Sequence, residues 1–412
     1  MNSDQSPEEP LNVNPSVDDV GAEYLEKMKG DAIGDTMYSE RWVLQTLIKF
    51  TMLFDTDWDE DLESEFCSLW DTTVEKDIVD FLLKHNFLSI AGCALRPTSR
   101  KNNSRLTEIL VGIVSNLCCH ESVRSELPKN PELIYQLISL LDDPDPHVLI
   151  QLTRLFHSCA WDLISESSPG QQQHWLEGPI NSGQLNNIFS FILKSSTNEE
   201  LICVVLEFLN TMCSLEVNDK DFSQYFCTPE MISAMTDAWH QLFSNWNPED
   251  EFPSKLLTKA AAHWTTVLVA FVGHEHGRDL VCENGIDLGH ILMRIALRPV
   301  ECFDAILIAT VNLLEVLIKI YFNGTVLKRL LEVLNVLYQN PNNGPDASVE
   351  DDNSKVVLQD SIESYCSNVF LIVSRPTLNY ILAECSENHV LLFWKVINER
   401  QSDEGEAGER AI

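Results

Sequence analysis

Apolar residues recur at helical spacing along most of the chain, and the pattern is clearest from Leu106 to Trp161. Ile109, Ile113, Val114 and Leu117 fall on one side of a predicted helix. After a short break, Asn130 and Pro131 have the character of a cap and a first helical position, and Leu133, Leu137, Leu140 and Leu141 form the stripe that follows. Asp142-Asp143-Pro144-Asp145 ends this second helix. Pro146 begins a third, on which Leu149, Leu152, Leu155 and Phe156 repeat the spacing. A unit of this kind cannot bury its apolar sides alone, so it implies stacked neighbours.

The same pattern extends in both directions. Residues 1–22 are polar and acidic, interrupted by Pro7, Pro10 and Pro15, and read as a disordered tail. Residues 23–104 read as N-terminal capping helices. The first of these has Trp42, Leu44, Leu47 and Ile48 as its apolar positions, and Thr72 with Glu75 has capping-box spacing before Ile78, Phe81 and Leu82. Residues 105–398 read as irregular helical repeats with loop inserts near 165–183 and 339–354, where Ser, Gln, Gly, Pro, Asn and acidic residues crowd together. A second capping box, Thr197 with Glu200, precedes Leu201, Val205, Leu206 and Leu209. The loop from His274 to Ile286 echoes the segment after His120, with His, Glu and Arg in matching places. Residues 399–412 read as a second disordered acidic tail. The longest apolar run, Ala305 to Phe322, carries Asn312, Glu315 and Lys319 on one helical face, which makes it an amphipathic helix and not a membrane span.

The three-helix unit at Leu106–Trp161 looks like an armadillo repeat, and the expected fold is an all-α, armadillo-like right-handed superhelix of five or six irregular repeats. A narrower resemblance rests on GDAIGDTMYSERW, ESEFCSLWD, DIVDFLLKHN, EILVGIVSNLCCHESV and DDPDPHVLIQLTRLF, which occur in this order. Together they resemble the serum amyloid A-like protein family, also described as synoviocyte proliferation-associated. The resemblance covers Gly30 to Trp161, about a third of the chain. Further on, helix order and spacing agree while the C-terminal half is shorter and differently interrupted than the vertebrate pattern. The resemblance implies an armadillo-like helical protein without catalytic residues, found in the nucleus and linked to promotion of cell proliferation.

Charge narrows the partners. With 63 acidic against 28 basic residues the net charge is −35, which repels phosphate backbones and anionic lipid over most of the surface. Direct nucleic-acid binding and membrane binding are not expected, whereas protein partners with basic segments suit that potential. The 12 cysteines include no C-x-x-C pair and mostly fall among apolar residues of predicted helices, as small core side chains in a reducing compartment do. No secretory signal is read at the start, so the protein is expected inside the cell, as a monomer; the nucleus, with the cytoplasm as a further location, is what the resemblance implies.

Aligning the third helices by their stripes places Asn116, Ser158, Asn210, Ala270, Asn312 and Asn368 at one equivalent position, with spacings of 42, 52, 60, 42 and 56 residues. In the peptide-binding importin-alpha and beta-catenin families, an Asn on the third helix grips the backbone of an extended ligand. Asn116, Asn210, Asn312 and Asn368 are therefore the candidate partner-binding residues. The importins also present a Trp one turn earlier, where this chain has Gly112, Leu206, Ile308 and Ser364. A karyopherin-like carrier of basic peptides is the alternative to a general scaffold. A metal-dependent hydrolase at His274, Glu275 and His276, with His263 or His290, is a second alternative, but those residues lack the i, i+4 helical spacing of a zinc protease. Cys118, Cys119 and His120 cannot close on one metal, because adjacent cysteines on a helix face different ways. No cofactor, metal or catalytic residue is expected.

Overall fold

The computed structural model describes residues 31–53, 58–100, 103–164, 174–217, 220–339 and 349–410. The tail read at 1–22 lies outside these residues, as do 165–173 and 340–348 of the two inserts. Among the described residues nearly all regular structure is helical, and the named strands are two-residue pieces, β1 (Glu216–Val217) and β2 (Lys220–Asp221), paired antiparallel. The chain divides into two compact units, Met1–Ser139 and Leu140–Ile412.

The main helices of the first unit are α1 (Glu40–Thr51), α2 (Glu60–Thr72), α3 (Lys76–Lys84), α4 (Phe87–Ala94), α5 (Ser104–Leu117) and α6 (Pro131–Ser139). Ser39, Asp59 and Asn103 cap three of them by accepting from the backbone N–H of Trp42, Leu62 and Leu106. Helix α4 packs on α1 and α6, and α5 packs on α2. This is why the division falls after Ser139 and not at 104: the first two helices of the Leu106–Trp161 unit bury their stripes on α2 and α4.

Three local expectations shift. The buried face of α1 is Val43, Leu47 and Phe50, while Ile48 is 53% exposed. Phe50 stacks on Phe66 at 3.8 Å between ring centroids, and that contact sets the rotation of the helix. Thr72 is the last residue of α2 and is buried, its hydroxyl donating to the Leu69 carbonyl, so it caps nothing. Asn130 uses its side-chain oxygen to accept from the Ser89 hydroxyl at 2.8 Å, which ties the start of α6 to α4.

The main helices of the second unit are α7 (Pro146–Ala160), α8 (Gln184–Ser195), α9 (Glu199–Ser214), α10 (Pro229–Phe243), α11 (Lys255–Val272), α12 (Glu275–Glu283), α13 (Gly285–Ala296), α14 (Ala305–Leu317), α15 (Gly324–Gln339), α16 (Val349–Ile372), α17 (Arg375–Ala383) and α18 (Glu387–Arg410). They form two ladders. In the first, α7, α9, α11, α14 and α16 pack each on the next; in the second, α8, α10, α13, α15 and α18 do the same. This is the stacking that one-sided apolar helices require, and it is armadillo-like repetition. Buried aromatics brace the middle of the unit. Trp239 and Trp264 lie 4.9 Å apart between ring centroids, and the Trp264 indole donates to the Met235 carbonyl at 2.8 Å.

Here too the boundaries move. Asn198, not Thr197, caps α9 by accepting from Leu201 N–H. Helix α16 starts at Val349, inside the stretch read as an insert, and the 174–183 part of the other insert contains a short helix, Glu177–Asn181. The segment after His274 is helix α12, not a loop. Helix α18 runs to Arg410 through residues read as a tail. Arg400, paired with Asp360 and Glu363 on α16, holds it to the ladder past that point. No single helix among the described residues is long and apolar enough to cross a membrane.

Candidate functional site

The first ladder of the second unit carries hydrogen-bonding side chains on every helix. Arg154 on α7 pairs with Glu200 on α9 at 2.8 Å, and His157 Nε2 lies 2.8 Å from the Thr211 hydroxyl. Glu207 on α9 faces His263 on α11, and these two line a cavity of about 290 Å³ with Arg154, Glu200, Cys203 and Lys259. Burial holds the pKa of His263 below the ordinary histidine value; Glu207 opposes that effect, while His157 and Lys259 add to it. On α14, Glu315 Oε1 accepts from Ser364 Oγ at 3.0 Å and Asn368 Nδ2 at 2.6 Å, both on α16.

The candidate asparagines occupy different situations. Asn210, Asn312 and Asn368 stand on α9, α14 and α16 of one ladder, whereas Asn116 belongs to α5 of the first unit. Asn312 is exposed, and its amide has no hydrogen-bond partner among the described residues. The Asn210 side-chain oxygen is buried without a donor. Asn368 is engaged by Glu315, and Asn116 Nδ2 donates to Thr73 Oγ1 at 2.9 Å. Sequence periodicity thus marks positions on successive helices, but it does not reveal that Glu315 and Thr73 hold two of the amides.

Sequence reasoning also missed a constellation beside β2. His274 bonds through Nε2 to the Ser223 hydroxyl and through Nδ1 to Asp221 Oδ2 at 3.1 Å. The nitrogens are those a serine hydrolase uses. Ser223, however, is 1% exposed, so no substrate carbonyl reaches its oxygen, and the arrangement acts as a clamp between the end of β2 with the residues just after it and the start of α12. Both ring nitrogens being engaged also removes His274 as a metal ligand. Among the described residues no group of three or more His, Cys, Asp or Glu is placed to hold a metal ion. None of the twelve cysteines is in a disulfide.

Fold and stacking define a helical-repeat protein of armadillo type. Among curated proteins, the chain is 29% identical over 266 residues to saal1 of Danio rerio, covering 59% of this chain and 54% of that protein. It is 30% identical over 240 residues to saal1 of Xenopus tropicalis, with 54% and 48% covered, and 27% identical over 201 residues to SAAL1 of Homo sapiens, with 45% and 40% covered. The resemblance to the serum amyloid A-like proteins is borne out, over more of the chain than the third from Gly30 to Trp161. The chain spans about half the length of the curated relatives it matches. No protein-family model matches it. Similar solved structures include SYS-1, 14% identical with a TM-score of 0.48 over 90% of this chain and 64% of that one. Another is the designed armadillo repeat protein YIII(Dq)4CqI, 13% identical with a TM-score of 0.41 over 77% and 99%.

Proposed function

We propose that this chain is a non-enzymatic scaffold that holds an extended segment of a partner protein along the first ladder of its second unit. The observation that carries this reading is the run of polar side chains on successive ladder helices, with the exposed, unpartnered amide of Asn312 among them. An amide offers both a donor and an acceptor, which is what a ligand's peptide backbone requires. On the next helix of the ladder, Asn368 presents its amide together with Glu315. A net charge of −35 favours partners containing Lys or Arg, chiefly through faster encounter. Binding through backbone bonds and charge corresponds to micromolar affinity, roughly −8 kcal/mol.

The family resemblance adds a nuclear location and a role in promoting cell proliferation to the proposal; fractionation of tagged protein into nuclear and cytosolic extracts tests the location. The binding role is tested by changing Asn210 and Asn312 together to Ala. Partner capture falls while the melting temperature stays near that of the parent protein. Undiminished capture by a folded double variant places the binding surface elsewhere.

A further inference from the structure

The first unit begins with an apolar edge that its own core does not use. Helix α1 buries Val43, Leu47 and Phe50, yet on its other side Ile48 is 53% exposed, Met52 at its C-cap is 56% exposed and Leu44 is half-buried. Leu44, Ile48 and Met52 stand four residues apart and so form one line along the helix, about 12 Å long at 1.5 Å per residue. On the first helix of a stack such a line calls for a cover, because a repeat array stays soluble only when its outer faces are closed.

The chain just before the described residues carries the matching pattern. Val20, Tyr24 and Met28 are also four residues apart, with Glu23, Glu26 and Lys27 between them. The point of entry is fixed. The Asp31 carbonyl accepts from Glu40 N–H at 2.7 Å, its carboxylate accepts from the Ser39 hydroxyl, and Ile33 N–H donates to the Tyr38 carbonyl at 3.0 Å. Asp31 is thereby held at the first residue of α1, and whatever precedes it starts from that end. Three residue steps join Met28 to Asp31, a reach of about 10 Å, which matches the roughly 8–10 Å between the axes of packed helices. Run antiparallel to α1, the span from Met28 back to Val20 equals that from Leu44 to Met52. It sets Met28 against Leu44, Tyr24 against Ile48 and Val20 against Met52.

We propose that Val20–Met28 lies as an antiparallel helix on α1 in this register and closes the outer edge of the first unit. A second copy of the chain could offer the same kind of apolar surface, but a net charge of −35 on each molecule opposes that pairing. The cover belongs to the first unit and does not depend on the ladder that the scaffold reading uses.

Hydrogen–deuterium exchange of the full chain, read by mass spectrometry, tests the cover. A helix this short does not persist alone in water, so protection of residues 21–28 reports docking. Their amides should exchange at least about tenfold more slowly in the full chain than in a free peptide of residues 18–30, in dilute and concentrated samples alike. Ile48→Glu puts a charge under Tyr24 and should return residues 21–28 to the free-peptide rate without changing exchange in α5. Ile48→Val, which keeps the apolar contact, should leave the protection in place. Free-peptide rates in the parent chain overturn the proposal, and so does protection that survives in a folded Ile48→Glu variant. Protection that appears only on concentration assigns the edge to a second copy and overturns it as well. If Ile48→Glu fails to fold, a benzoylphenylalanine at position 24 of the otherwise unaltered chain decides. Its intramolecular cross-links should fall within residues 44–52, and cross-links confined to other residues overturn the cover.

Discussion

Arg278 Nη2 donates to the carbonyl oxygen of Val272 at 3.3 Å, folding back over the C-terminal end of α11. Arg124 does the same in the first unit, reaching the carbonyls of Cys118 at 3.0 Å and Cys119 at 3.1 Å beyond α5. In both places a histidine four residues earlier, His274 or His120, opens the next short helix. The repeated His, Glu and Arg are therefore a corner device: the arginine neutralises exposed carbonyls at one helix end while the histidine starts the next.

Arg278→Ala and Arg124→Ala should each cost about 1 kcal/mol, because each removes a charged donor from helix-end carbonyls. Urea denaturation measures this. If Arg278→Lys, which keeps the charge without the fork, recovers the full loss, geometry is unimportant at the corner.

His263 gives a pH dependence with a defined sign. Burial lowers its folded pKa below the 6.5 of the free side chain, so the unfolded chain binds the proton more readily. Well above 6.5 both states are neutral and nothing is lost; as pH falls through 6.5 stability drops until the folded state is also protonated. His263→Gln should flatten this part of the stability–pH curve relative to the parent protein. Parallel curves for the two proteins would show that Glu207 cancels the effect of burial.

Much of this was legible in the chain because helical periodicity and caps are local. The stripes at Ile109–Leu117, Leu133–Leu141 and Leu149–Phe156 are buried, and Asp145 caps the helix that Pro146 begins by accepting from His147 N–H at the predicted break. What the sequence did not disclose was contributed by other helices. The rotation of α1 depends on Phe50 meeting Phe66. Asn116 meets Thr73 across 43 residues, Ser223 meets His274 across 51, and Asn368 meets Glu315 across 53. Gly112 reads from the sequence as the place where an aromatic is missing, yet the structure lays Trp70 of the neighbouring helix on it.

The Ser223–His274–Asp221 clamp should be structural. Ser223→Ala leaves a half-buried imidazole nitrogen without its hydroxyl partner and should destabilise the protein by about 1 kcal/mol. A fluorophosphonate probe should leave Ser223 unlabelled in the native protein, since the residue is 1% exposed. Stoichiometric labelling at Ser223 would make it a nucleophile and return a hydrolase to consideration.

The account's central claim, that the first ladder of the second unit holds an extended partner segment, is tested most directly by site-specific photo-crosslinking. A benzoylphenylalanine is placed at Asn312, exposed on that ladder, or at Phe191, 70% exposed on α8 of the other ladder. After irradiation in cell extract, the cross-linked peptides are sequenced by mass spectrometry. The account predicts recurrent cross-links from position 312 to one short segment of a partner protein, enriched in Lys or Arg, and none of that segment from position 191. Recurrent cross-links at 191 with none at 312 would contradict it.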